Sequence, residues 1–154
     1  MPVPLLWFVI AALALTVTAP PMVQEARGTL RLELSLSKSS FVVGEPVEAT
    51  LTLRHEGENP VRVRFTSGQR FDLLVRRGGA LVWRWSDDKA FAQVIQDVSM
   101  RSGDTLTFKA AWSQQDLQGR RAAPGDYEIV GVFLGRAGET GAGITTPALP
   151  FRIR

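Results

Sequence analysis

Residues 30–36 read LRLELSL, and residues 47–54 read VEATLTLR. In the first stretch Leu30, Leu32, Leu34 and Leu36 alternate with Arg31, Glu33 and Ser35. In the second, Val47, Ala49, Leu51 and Leu53 alternate with Glu48, Thr50, Thr52 and Arg54. Successive side chains of an extended chain point to opposite faces, so a period of two buries one face and wets the other. The same period returns at Val61, Val63 and Phe65, at 71–75, at 81–85, at Leu106, Phe108, Ala110 and Trp112, at 127–134, and at Leu149, Phe151 and Ile153. Turn residues separate these runs: Gly44-Glu45-Pro46, Ser102-Gly103-Asp104 and Pro124-Gly125-Asp126. Residues 76–80 (RRGGA) join two runs as a hairpin with a glycine-containing loop. Residues 89–100 stay open, because Phe91, Val94, Ile95 and Val98 suit a helical turn as well as a strand. Seven to nine short strands predict an all-β fold, an immunoglobulin-like antiparallel β-sandwich. Tyr127, just after a Pro-Gly-Asp turn, stands where such sandwiches place a tyrosine corner.

An apolar segment precedes this domain. Residues 1–24 carry no charged side chain, and residues 5–19 (LLWFVIAALALTVTA) are apolar apart from two threonines. The pattern predicts an export signal peptide or an N-terminal membrane anchor over residues 1–26, and a folded domain over 28–154. The expected location is extracytoplasmic, secreted or anchored, with membrane contact only through residues 5–19 if they are retained.

The 154 residues fit one globular domain, 45% hydrophobic and 21% charged. The net charge of +3 comes from 15 arginines and three lysines set against 15 carboxylates, interspersed along the strands. Nucleic-acid binding needs a basic stripe or a recognised motif, and this pattern supplies neither. There is no cysteine, which excludes disulfides, thiol catalysis and thiolate metal sites.

The usual catalytic patterns are missing from the sequence. His55, the one histidine, sits in the turn-like HEGENP segment, where a solvent-exposed passenger is expected rather than a general base with an oriented partner. No Gly-x-Ser-x-Gly elbow occurs, and neither Gly78-Gly79 nor Ser67-Gly68 has the strand-to-helix setting of a phosphate loop. Asp87 and Asp88 are neighbours whose side chains diverge, a weak basis for calcium. The expectation is a binding protein, not an enzyme, with no cofactor, metal or small-molecule substrate.

Residues 81–91 read LVWRWSDDKAF, and alternation places Trp83 and Trp85 on one face as core anchors with Arg84 pointing outward. A simple hairpin register sets Arg84 beside Asp72, an exposed pair of the kind that contributes about 0.2–1 kcal/mol.

The middle of the chain resembles a known family, the BsuPI-type intracellular proteinase inhibitors, a group of bacterial immunoglobulin-like domains. The resemblance lies in Asn59-Pro60 before a strand, FTSGQRFDLLV at 65–75, VWRWSDDKAFAQ at 82–93 and PGDYEIVG at 124–131, and it covers roughly residues 38–135. Its signature positions, read as structural, are Asp72, Trp83, Arg84, Trp85, Phe91 and Tyr127. The resemblance implies an inhibitor of bacterial subtilisin-like serine proteases, with a protease as protein partner.

A protease inhibitor offers a rigid exposed segment held at its base. Two loops fit best: Ser67, Gly68, Gln69 and Arg70 between two strands, and Ser86, Asp87, Asp88 and Lys89 between the aromatic anchors Trp85 and Phe91. The glycine-rich stretch 135–147 (GRAGETGAGITTP) is long enough to reach a cleft but costly to order. The alternative is a non-inhibitory immunoglobulin-like module of the cell envelope that uses the same loops on another partner.

Overall fold

The computed structural model describes residues 17–138 and 141–154. Its strands are β1 (Met22–Arg27), β2 (Leu30–Leu36), β3 (Ser40–Phe41), β4 (Val47–His55), β5 (Val61–Phe65), β6 (Phe71–Arg77), β7 (Ala80–Arg84), β8 (Gln96–Met100), β9 (Thr105–Trp112), β10 (Gly125–Phe133), β11 (Arg136–Ala137), β12 (Ile144–Thr145) and β13 (Leu149–Ile153). One sheet runs β1-β2-β4-β9, a second β3-β13-β10-β6-β7 with β12 beside β10, and a short third sheet β11-β5-β8. All pairings are antiparallel except that of β3 with β13. The result is the expected β-sandwich.

The alternating residues build the core as their period requires. Leu30, Leu32, Leu34 and Leu36 are buried, and so are Val47, Ala49, Leu51 and Leu53 across the β2–β4 ladder. From the facing sheet come Leu73, Val75, Tyr127, Ile129, Phe133, Phe151 and Ile153. Trp112 of β9 joins the layers, with its ring 5.7 Å from Tyr127 and 6.3 Å from Phe151. Burying such side chains contributes about 1.5–3 kcal/mol each, which is what the period of two secures.

Three local expectations change. The β6–β7 hairpin is tighter than a five-residue connection: its loop is Gly78-Gly79 alone, with φ of +55° and +81°. Two consecutive positive φ values are the type I′ geometry that matches strand twist and favours glycine. His55 ends β4 and is buried, not exposed. With its proton on Nε2 the ring donates to the Asn59 carbonyl at 2.7 Å, while Nδ1 accepts from the Gly57 amide at 3.4 Å. The histidine thus closes its own turn, because β4 continues its alternation to residue 55 and places the ring on the buried face with Leu51 and Leu53. The third change concerns the described parts of the 135–147 stretch: Arg136–Ala137 pair with β5 as β11, Ile144–Thr145 pair with β10 as β12, and Ile144 and Thr146 are buried.

The open stretch 89–100 resolves into two parts. Residues 96–100 form β8 against β5, and residues 89–95 form neither helix nor strand. Immediately before them, Trp85–Asp88 make one 3₁₀ turn, so β7 ends at Arg84 and Trp85 lies outside the strand.

Candidate functional site

Asp72 links the two candidate loops. It sits near the start of β6, only 9% exposed, and its carboxylate accepts from both sides. Oδ2 takes the Ser86 hydroxyl at 2.6 Å and the Gln69 side-chain amide at 3.3 Å; Oδ1 takes the backbone amides of Ser86 at 3.1 Å and Leu73 at 2.9 Å. Gln69 comes from the 67–70 loop and Ser86 from the 3₁₀ turn, so one buried carboxylate organises both. A buried carboxylate requires such donors, since its desolvation is otherwise uncompensated.

The register explains why Ser86 is the partner. β6 and β7 pair Arg77 with Ala80 and Arg76 with Leu81, then slip by one at a bulge between Val75 and Arg76, so that Val75 faces Trp83 and Leu74 faces Arg84. Continuing that register brings Ser86 level with Asp72. The expected Arg84–Asp72 pair is therefore absent: Arg84 lies opposite Leu74 and approaches Asp87 at 3.9 Å. The tight loop and the bulge together displace the ladder by two residues from the simple hairpin.

Each loop has its own braces. In the first, the Gln69 amide donates to the Ser67 hydroxyl at 3.2 Å, and the Gly68 amide donates across to the Ala92 carbonyl at 2.8 Å. Arg70 lays its guanidinium 4.0 Å from the Phe65 ring and hydrogen-bonds the Gln96 side chain. In the second, Lys89 caps the turn: its amide donates to the Ser86 carbonyl at 3.1 Å, and its ammonium donates to the Trp85 carbonyl at 2.8 Å and to Asp88 at 2.7 Å. The Lys89 hydrogen bond holds the Asp88 carboxyl below the ordinary carboxylate range. Asp87 and Asp88 thus face different cations and do not converge.

Under both loops lies an aromatic chain. Trp85 stacks on Phe71 at 4.2 Å and approaches Phe91 at 5.9 Å; Phe71 stacks on Phe108 at 4.8 Å, and Phe108 approaches Phe133 at 6.3 Å. Trp83 packs nearer the other end of the sandwich, 6.3 Å from Trp112. Both tryptophans are half-buried against the core. Tyr127 is remote from the loops; its hydroxyl donates to the Ala123 carbonyl at 2.6 Å, the bond a tyrosine corner makes.

Sequence reasoning missed one residue with an organising role, Gln114. It is fully buried with φ of +60°; its amide donates to the carbonyls of Val42 and Glu45, and its carbonyl oxygen accepts the Gly44 amide at 2.9 Å. A glutamine after a strand carries no signal for this role. Only its place in a polar run following buried Trp112 could have drawn attention.

Three solved structures indicate the kind of likeness. Spo0M, a sporulation control protein from Bacillus subtilis, is 13% identical over 83% of this chain and 50% of that chain, with a TM-score of 0.49. The C-terminal domain of wzt is 11% identical over 88% and 80%, with a TM-score of 0.48. A β-glucosidase from Listeria innocua is 10% identical over 84% of this chain but 16% of its own length, with a TM-score of 0.44. No curated protein matches the chain.

The family described as BsuPI, intracellular proteinase inhibitor, matches residues 34–138. That description contradicts the expectation of export. The apolar run had no Lys or Arg ahead of it, so hydrophobicity alone carried that reading. Residues 1–16 lie outside the described residues, and among the described residues no helix is long and apolar enough to cross a membrane. The match spans well over half of the sequence, including both loops and the Asp72 junction, and the chain belongs to the BsuPI family of intracellular proteinase inhibitors.

Proposed function

We propose that this chain inhibits a subtilisin-like serine protease through the surface built by residues 67–70 and 86–89. The observation that carries the reading is the Asp72 junction, joining Gln69 to Ser86 through one buried carboxylate. Two loops fixed to each other lose little further freedom on binding, and that lowers the entropic cost which otherwise weakens a loop-mediated complex. The aromatic chain under Trp85 supports the same reading, since a base packed from Phe91 through Phe71 to Phe108 resists displacement by a protease. Family membership supplies the proteinase as partner; the subtilisin type and the loops are our assignment.

The test is a titration of the full chain into subtilisin, following hydrolysis of a chromogenic peptide. Stoichiometric, saturable loss of activity is expected. Full activity at excess chain, or steady digestion of the chain, would overturn the reading.

A further inference from the structure

Between the 3₁₀ turn and β8, residues 90–95 (AFAQVI) cross the surface as an exposed connection with no glycine, no proline and no positive φ. Among the described residues, none of the backbone amides from Ala90 to Ile95 donates a hydrogen bond to the protein, and the Ala92 carbonyl alone accepts one, from Gly68. Both ends are fixed. Lys89 is held to Ser86 and Trp85, and Gln96 begins β8 opposite Phe65. Phe91 anchors the near half on Trp85. Beyond it Val94 is 42% and Ile95 70% exposed, and among the described residues they are the one adjacent pair of large exposed hydrophobics.

We infer that residues 90–95 are the segment presented to the active-site cleft of the serine protease, bound there as an added strand; this rests on the inhibitor reading above. Unused peptide groups along a chain held at both ends are what strand addition requires, with main-chain hydrogen bonds giving affinity and exposed side chains filling pockets. Val94 and Ile95 supply those side chains, and the sandwich gains nothing from leaving them in water. In this arrangement the 67–70 and 86–89 loops flank the 90–95 segment and brace it, and the three together make the inhibitory surface, with 90–95 entering the cleft. Gly68 holds the middle of the segment through Ala92, and Lys89 and Phe91 hold its entrance. No bond in the inhibitor is broken, and the complex is noncovalent.

The experiment compares the full chain with the V94D/I95D variant against subtilisin, with M22D as a control at an exposed methionine on β1 of the other sheet. Inhibition by the V94D/I95D variant should weaken at least about a hundredfold, as for a central contact, and M22D should inhibit like the parent. Hydrogen exchange on the parent complex gives a readout that needs no variant: the amides of Gln93, Val94 and Ile95 should become protected. If the parent inhibits but the double variant inhibits equally, or protection falls elsewhere and not on these amides, the segment assignment is overturned and the inhibitor reading stands. If the parent leaves subtilisin fully active, both are overturned.

Discussion

The hydroxyl of Ser86 donates to Asp72 at 2.6 Å, and through that contact a short 3₁₀ turn is fastened to the start of β6. The same carboxylate holds Gln69, so the pair governs the geometry of both loops. Replacing Asp72 with alanine removes the acceptor of the Leu73 amide and of the Ser86 amide and hydroxyl, and leaves Gln69 with only its bond to the Phe71 carbonyl; it should cost about 2–4 kcal/mol, since donors shielded from water without a partner keep their desolvation penalty. Ser86→Ala removes one bond and leaves the amide contact, so about 1 kcal/mol is expected. Urea unfolding monitored by tryptophan fluorescence checks the order. A loss for Asp72→Ala no larger than for Ser86→Ala would contradict the junction.

Gln114 makes a second, separate prediction. Its side chain holds the carbonyls of Val42 and Glu45 and the amide of Gly44, all in the connection between β3 and β4. Gln114→Ala removes the side-chain partner of the Gly44 amide and the Glu45 carbonyl, while the Val42 carbonyl keeps the Glu45 amide, and should cost about 1–3 kcal/mol in urea unfolding. Gln114→Gly relieves the left-handed backbone and should recover part of that loss, about 1 kcal/mol.

The strands were legible wherever one face alternates cleanly. Leu30 to Leu36 and Val47 to Leu53 bury the residues that their period names. What the period could not supply was register, because a hairpin with two arginines and two glycines in its connection can close at several lengths. The two-residue loop and the one-residue slip at Val75 and Arg76 together replaced Arg84 by Ser86 beside Asp72, and no local rule marks that bulge. His55 was misjudged for a related reason: polar neighbours suggested a wet turn, and the ring satisfies both nitrogens inside it. The loops named from sequence do lie side by side, but their junction is a tertiary contact.

Glycines offer a contrast between two physical causes. A Cβ on Gly135 would lie 2.5 Å from Val63 Cγ1 and 2.6 Å from the Phe133 ring, both buried, whereas one on Gly79 meets nothing within 4 Å. Gly135→Ala should cost about 1–3 kcal/mol through overpacking. Gly79→Ala should cost about 1 kcal/mol through its backbone at φ of +81°. Differential scanning calorimetry of the two variants checks this, and D-alanine at position 79, introduced by semisynthesis, should restore stability there without any counterpart at 135.

Arg64 and Asp97 face each other across the β5–β8 ladder, with Nε to Oδ1 at 2.8 Å and a second bond at 3.0 Å. The Arg64 hydrogen bond holds the Asp97 carboxyl below the ordinary carboxylate value of about 4. A carboxyl depressed in the folded state stabilises the fold fully above its unfolded value, and the contribution disappears as pH falls through the lower folded value. The β5–β8 ladder should therefore keep this support at neutral pH and lose it only below about pH 4. NMR titration of the Asp97 side-chain carbonyl measures it directly. In Arg64→Gln the midpoint should rise toward the ordinary value, and an unchanged midpoint would show that the pair does not hold the carboxyl down.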